Sequence, residues 1–248
     1  MIRLRRLFRL TQLALHVLVG VIITAIYAGL LRRAAIDPSY QQLRRWWLGR
    51  IVRIVGGQVT TYGEPAPAGS LLAANHVSWL DIALLGGQTE VTFLSKSEVK
   101  SWPVIGWLAD KSGTLFIERG KSGGAKGASD KITSSLEHQE RVLIFPEGTI
   151  TDNIHLLPFH ARLFAAAVTA NALIQPVAIH YQNTQGQTHP LVPYLEPQTL
   201  MQNLWRILAE PKILIAVHFL PPIDSQAVPR KELASYSEQQ VRSALKLN

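Results

Sequence analysis

The sequence predicts an α/β protein with a mostly parallel central sheet flanked by helices. A hydrophobic membrane helix and an amphipathic interfacial helix precede it. Three observations lead there. From about residue 56, short β-rich runs alternate with helical stretches, the pattern of strands joined by crossover helices. Residues 11–31 contain no Asp, Glu, Lys or Arg. Residues 40–57 set large apolar side chains at helical spacing among arginines. The implied organisation is a membrane anchor over 1–55 and an α/β domain over 56–248.

The apolar run comes first. At 1.5 Å per residue, a helix over residues 11–31 is about 30 Å long, the thickness of a bilayer core. A cleaved signal peptide would have a shorter apolar region and a small-residue cleavage site, which this run lacks. His16 reads as a tolerated polar residue within it. In the next segment Leu43, Trp46, Trp47, Ile51 and Ile54 share a helical face, with Arg44, Arg45, Arg50 and Arg53 mostly elsewhere. Such a helix suits the plane of a membrane interface, or an ordinary packed position on the domain.

Charge supports the membrane reading. Residues 1–53 hold ten Arg and one acid (Asp37), a local net of +9, whereas the remaining 195 residues carry 15 basic and 16 acidic side chains. A nucleic-acid enzyme spreads basic residues over its binding face, so nucleic acid is not an expected partner. Arginines flanking an apolar stretch suit anionic lipid headgroups. Because both flanks are basic, the positive-inside rule draws both ends of the helix to the cytoplasm. A re-entrant helix that returns through residues 40–57 satisfies both ends. There is no cysteine, which excludes disulfides and thiolate metal sites.

Beyond residue 56 the expected strands are Gln58–Gly63, Ser70–Ala74, Val91–Leu94, Thr114–Ile117, Arg141–Phe145, Pro176–Tyr181 and Ile213–Phe219. The expected helices are Trp79–Gly86, Val104–Lys111, Lys126–Gln139, Phe159–Ala170, Leu200–Ala209 and Arg230–Leu245. The glycine-rich piece Gly120–Gly127 reads as a mobile loop. It lacks the residue order of a phosphate-cradling P-loop.

Ligands of open α/β sheets gather beyond the carboxyl ends of the strands, where four polar groupings fall. The first is Asn75-His76-Val77-Ser78-Trp79-Leu80-Asp81. A histidine can remove a hydroxyl proton near neutral pH, and a carboxylate on its other ring nitrogen fixes the tautomer. On a regular helix, positions i and i+5 stand about 140° apart. The pair therefore works only if His76 lies in the strand-to-helix turn and folds back over Asp81. The same residues also fit an N-cap turn with a solvated Asp. Gly113–Arg119 ends in an arginine that could clamp an anion or simply face solvent, and Lys96 is a similar candidate. Phe145-Pro146-Glu147-Gly148-Thr149 is either a ligand-facing strand mouth or a tight polar turn. Gln175–Ile179 fits a strand beginning with proline.

Together, N-H-x-x-x-x-D, G-x-x-F-I-x-R, F-P-E-G-T and P-V-A-I, in this order and spacing, resemble the glycerolipid acyltransferase family. The similarity is greatest to bacterial 1-acylglycerol-3-phosphate acyltransferases. The stretch Phe93–Leu108 looks like the same family, and the resemblance covers roughly residues 70–181. It implies His76 as general base and Asp81 as its orienting carboxylate. It implies substrate contacts from Lys96, Arg119, Glu147, Gly148 and Thr149, with Arg119 on an acceptor phosphate. The 56–248 unit is then an acyltransferase catalytic domain facing the cytoplasm at a bacterial inner membrane. The implied partners are membrane lipids, lysophosphatidic acid as acceptor, and acyl-CoA or acyl-carrier protein as donor. No cofactor and no metal are expected. No acyl-enzyme is required, in keeping with the absence of Cys and of a G-x-S-x-G elbow.

One departure bears on the acceptor. Many members follow F-P-E-G-T with Arg, where this chain has Ile150. Where many show F-K-x-G, it has Phe159-His160-Ala161-Arg162. One anion contact is missing or moved, with Arg162 as a replacement. Lyso-ornithine lipid or another lysophospholipid is thus an alternative acceptor. Two other classes compete: an idle lipid-carrying module, and a metal hydrolase. The hydrolase has no H-E-x-x-H behind it, and His155 and His160 are not spaced as paired helical ligands.

Overall fold

A computed structural model describes residues 1–32, 35, 37–118 and 124–247. The chain opens with α1 (Ile2–Thr24), which runs on through a π-helical turn, Ala25–Leu30. Helix α2 (Pro38–Ile54) starts at an Asp37 N-cap that accepts the backbone N–H of Ser39 and Tyr40, with Pro38 at the first helical position. There follow β1 (Gly57–Tyr62), β2 (Leu71–Ala74), α3 (Leu80–Gln88), β3 (Thr92–Lys96), α4 (Ile105–Lys111), β4 (Leu115–Ile117) and α5 (Gly124–Glu137). Then come β5 (Val142–Ile144), α6 (Ala165–Thr169), β6 (Leu173–Gln182), α7 (Leu200–Ile207), β7 (Ile213–Phe219), β8 (Ile223–Asp224) and α8 (Arg230–Ala244).

The strand order is β1-β7-β6-β2-β5-β3-β4, with β8 attached to β6. Strands β2 to β6 are parallel to one another. Strand β7 runs antiparallel to β6, and β1 is parallel to β7. All five parallel strands therefore present their carboxyl ends at one edge. Central β2 is buried on both faces, as its unbroken Leu-Leu-Ala-Ala run requires. Leu72 and Ala74 enter one core with Val52 of α2, Leu84 of α3 and Ile207 of α7. Leu71 and Ala73 enter the other with Ile132 of α5, Ala166 of α6 and Leu233 of α8.

Helices α1 and α2 form an antiparallel hairpin. The His16 and Trp47 rings stack, Trp47 Nε1–H donates to the His16 carbonyl (2.8 Å), and His16 Nε2 meets the Trp47 carbonyl (2.9 Å). His16 is thus a structural knot within the apolar helix. The far side of α2 crosses α3 backbone to backbone, since a Cβ on Gly87 would sit 2.6 Å from the Gly49 Cα. The apolar face of α2 thereby meets protein, while Arg45, Trp46, Arg50 and Arg53 are exposed. At its start α1 is clasped to the domain. Arg5 donates to the Ala209 carbonyl, and Arg9 to those of Glu210 and Pro211. The outward side of α1 exposes Leu7, Phe8, Leu15, Leu18, Ile22 and Ile26. Among the described residues, Ile2–Leu30 is the helix long and apolar enough to cross a membrane, with a mean hydropathy of 2.3.

Three expectations change. Of the loop expected over Gly120–Gly127, residues 120–123 lie outside the described residues and Gly124–Gly127 open α5. The helix anticipated over Phe159–Ala170 is a short 3₁₀ turn (Ala161–Phe164) running into α6, with Phe159 and His160 extended before it. The His160 N–H donates instead to the Pro146 carbonyl (2.9 Å). Pro176 lies inside β6 rather than at its start. It sits where one edge of β6 passes from β8 (Leu173, Ile174) to β7 (Val177 onward), and that junction tolerates a missing N–H. The Gln175 side chain fills the gap, donating to the Glu64 and Leu220 carbonyls and accepting the Ala66 N–H.

Candidate active site

Strand β2 ends at Ala74, and the next residue fixes the turn. The Asn75 side chain donates to the Ile179 carbonyl (3.0 Å) and accepts the Ile179 N–H (2.7 Å), tying the turn to neighbouring β6. Residues 75–78 are not helical, so His76 occupies the strand-to-helix turn and Asp81 the first turn of α3. His76 Nδ1 lies 2.7 Å from Asp81 Oδ2. The same oxygen accepts the backbone N–H groups of Val77 (2.8 Å) and Ser78 (2.9 Å). Asp81 Oδ1 accepts the Tyr181 hydroxyl at 2.6 Å. Burial, and then the Asp81 charge, push the Tyr181 hydroxyl well above its usual range, so it stays protonated and donating.

This arrangement settles the chemistry of the ring. Asp81 is fully buried, and a carboxylate buried without partners would be strongly disfavoured. Four donors converge on it instead. An ionised carboxylate only accepts, so the neutral imidazole takes the tautomer with its hydrogen on Nδ1 and its lone pair on Nε2. Phe145 stacks on the imidazole with ring centroids 3.8 Å apart, holding its plane. The ring is 18% exposed, against 0% for Asp81.

The residues beyond β5 meet this turn from the side. Glu147 Oε1 accepts the His76 N–H (2.8 Å), and Oε2 accepts the Leu157 N–H (2.9 Å). With 3% of its surface exposed, Glu147 braces the His76 turn rather than standing open to a ligand. Its carboxyl stands raised to about 7: burial pushes it up most, the N–H groups of Leu157 and His76 pull it part of the way down, and the Asp81 charge adds to the rise. Gly148, at φ 72°, makes the turn that returns the chain, and Thr149 is exposed beside it. Two residues on, the Thr151 N–H donates to the His76 carbonyl (2.8 Å).

Lys96 is exposed at the carboxyl end of β3, on the edge that carries His76. Arg119, two residues past the end of β4, lies outside the described residues. Arg162 is exposed on the 3₁₀ turn before α6. Sequence reasoning missed Tyr181, Asn75 as a clamp and Phe145 as a stacking platform. Tyr181 had one signal: in β6 it shares a face with Ile179, whose N–H and carbonyl carry the Asn75 clamp. A cleft of about 620 Å³ is lined by Trp102, Tyr194, Glu196, Pro197, Gln198, Thr199 and Leu200. It adjoins the histidine turn, because the Tyr194 N–H donates to the Val77 carbonyl (3.1 Å).

The family model described as Acyltransferase matches residues 58–180. The lyso-ornithine lipid O-acyltransferase of Pseudomonas aeruginosa is 41% identical, over 99% of this chain and 95% of that one. The 1-acyl-sn-glycerol-3-phosphate acyltransferase of Neisseria gonorrhoeae is 34% identical, over 74% of this chain and 73% of its own. The crystal structure of PlsC, the 1-acyl-sn-glycerophosphate (LPA) acyltransferase of Thermotoga maritima, has the same fold. Its TM-score is 0.63 at 21% identity, over 96% of each chain. The chain thus belongs to the acyltransferase family.

Proposed function

We propose that this enzyme O-acylates a lyso-lipid at a membrane surface, with His76 as general base. The observation that carries the mechanism is the His76–Asp81 bond, which leaves Nε2 as the basic nitrogen of a partly open ring. As the acceptor hydroxyl oxygen forms its bond to the thioester carbonyl carbon, Nε2 takes its proton. The imidazolium is stabilised through Nδ1–H by Asp81, itself steadied by Tyr181. When the tetrahedral intermediate collapses, the carbon–sulfur bond breaks and the leaving thiolate takes the proton back from Nε2. The donor is acyl-CoA or acyl-carrier protein, and the cleft beside Tyr194 takes the acyl chain. Lys96, at the end of β3, and Arg119, two positions after β4 in the sequence, supply positive charge for an acidic group on the acceptor. The exposed face of α1 lies in the inner membrane from the cytoplasmic side, the catalytic domain over residues 56–248 facing the cytoplasm.

Lyso-ornithine lipid is the favoured acceptor. The Pseudomonas aeruginosa relative matches across nearly the full length of both chains, and Ile150 stands where many members of the family carry Arg. Lysophosphatidic acid is the second reading, favoured by the Neisseria gonorrhoeae relative. Purified enzyme given each acceptor, with one acyl-CoA and then one acyl-carrier protein, separates them. A kcat/KM at least tenfold higher for lyso-ornithine lipid is expected, and the reverse preference overturns that choice.

A further inference from the structure

Between β3 and α4 the chain exposes a run of apolar side chains. Trp102, Val104, Ile105 and Trp107 are each about two-fifths exposed (39–46%). We propose that this segment is a second lipid-contacting element, which enters the bilayer surface beside α1. The inference rests on the reading that α1 itself lies in the bilayer.

The backbone gives the first reason. Val104 is the centre of a γ-turn of the positive-φ kind (φ 62°, ψ −58°), closed by the Ile105 N–H on the Pro103 carbonyl at 2.6 Å. A β-branched residue is rare at positive φ, and Gly, with no Cβ, would sit there with the least strain. An apolar side chain is therefore kept at the most exposed of the four apolar positions against backbone preference. Such strain persists where function requires it.

Composition gives the second reason. Two tryptophans bracket the tip, and an indole, apolar in body with one N–H, suits the level of lipid headgroups. The third reason selects lipid over a protein partner. The loop is continuous with the apolar helix: α4, which it begins, touches α1. On the other side of the cleft, the Arg6 guanidinium lies over the Trp205 ring at 5.0 Å, joining α1 to the exposed Met201 and Trp205 of α7. Apolar side chains thus border both sides of the cleft that adjoins the histidine turn, where a lipid substrate would leave the bilayer.

The absence of native cysteine allows a direct test. The full-length Val104→Cys variant carries an environment-sensitive fluorophore. Glu137→Cys, exposed at the opposite edge of the sheet, serves as reference. Each is mixed with vesicles of phosphatidylethanolamine and phosphatidylglycerol. The expected result is a blue shift and a severalfold intensity gain at position 104, with none at 137. If the protein sediments with vesicles but the label at 104 does not respond, the loop proposal falls and the α1 reading stands. Failure to sediment at all overturns both. A response at both positions, or a vesicle-independent response that grows with protein concentration, overturns the loop proposal in favour of general adsorption or self-association. Unlabelled Val104→Gly supplies a second readout. It should raise the thermal midpoint by relieving the turn while lowering vesicle partitioning severalfold. Unchanged partitioning refutes the proposal.

Discussion

Replacing Asp81 with Asn isolates the charge of the carboxylate from its shape. The amide can keep its oxygen towards His76 Nδ1, Val77 N–H and Ser78 N–H, three donors that would all oppose an NH₂ group. The NH₂ group then faces Tyr181, whose hydroxyl can rotate to accept. Fold and tautomer survive, and the lost quantity is the attraction between carboxylate and imidazolium. With charge centres roughly 4 Å apart and an effective dielectric of about 20, that attraction is about 4 kcal/mol. At about 1.4 kcal/mol per decade, kcat falls about a thousandfold. The assay is steady-state turnover on vesicle-embedded acceptor, with thermal unfolding alongside. Little change in KM is expected, because the charge matters after proton transfer begins. A loss below tenfold in a folded variant would refute the role given to Asp81.

Other outcomes follow from the same geometry. His76→Ala should lower kcat by a factor of roughly 10²–10⁴ and leave vesicle sedimentation unchanged; near-normal turnover sinks the mechanism. Tyr181→Phe strands Asp81 Oδ1 without a donor, a loss of about 2 kcal/mol. That amounts to about 4–8 °C in the thermal midpoint for a chain of this size. Glu147, raised in the folded state from 4.5 to about 7, binds more protons folded than unfolded in that window. Its contribution is therefore full below pH 4.5 and is lost as pH rises through about 7, by about 3 kcal/mol in all. The decline in unfolding free energy between pH 5 and 8 should be shallower in Glu147→Gln, and equal slopes would contradict the burial argument.

What could be read from the sequence followed from short-range rules. Alternating apolar runs marked the strands of the parallel sheet. The 140° spacing makes a working pair conditional on His76 lying in the strand-to-helix turn, and that is where it lies. Contacts between distant segments were beyond such rules. Tyr181 reaches Asp81 across 100 positions because β6 happens to neighbour β2. Glu147 read as a residue at a strand mouth, yet its carboxylate is spent on two backbone N–H groups, one 71 residues away and one 10. The segment 159–170 looked helical from composition, but its first residues are held extended by Pro146 and by Glu238, which accepts the Phe159 N–H.

The arginine clasp at the start of α1 has a mechanical meaning. A catalytic domain on a slack tether would sample every height and tilt above a bilayer. Here Arg5 and Arg9 grip the carbonyls of Ala209 to Pro211, and α2 is locked to α3 through Gly49 and Gly87. Helix hairpin and sheet therefore move as one rigid float. With α1 seated in lipid, the altitude of His76 above the acyl region becomes a built-in dimension of the enzyme. On the proposed seating of α1 in lipid, selection among acceptors would include a ruler: a hydroxyl would be acylated when its own headgroup carries it to that altitude.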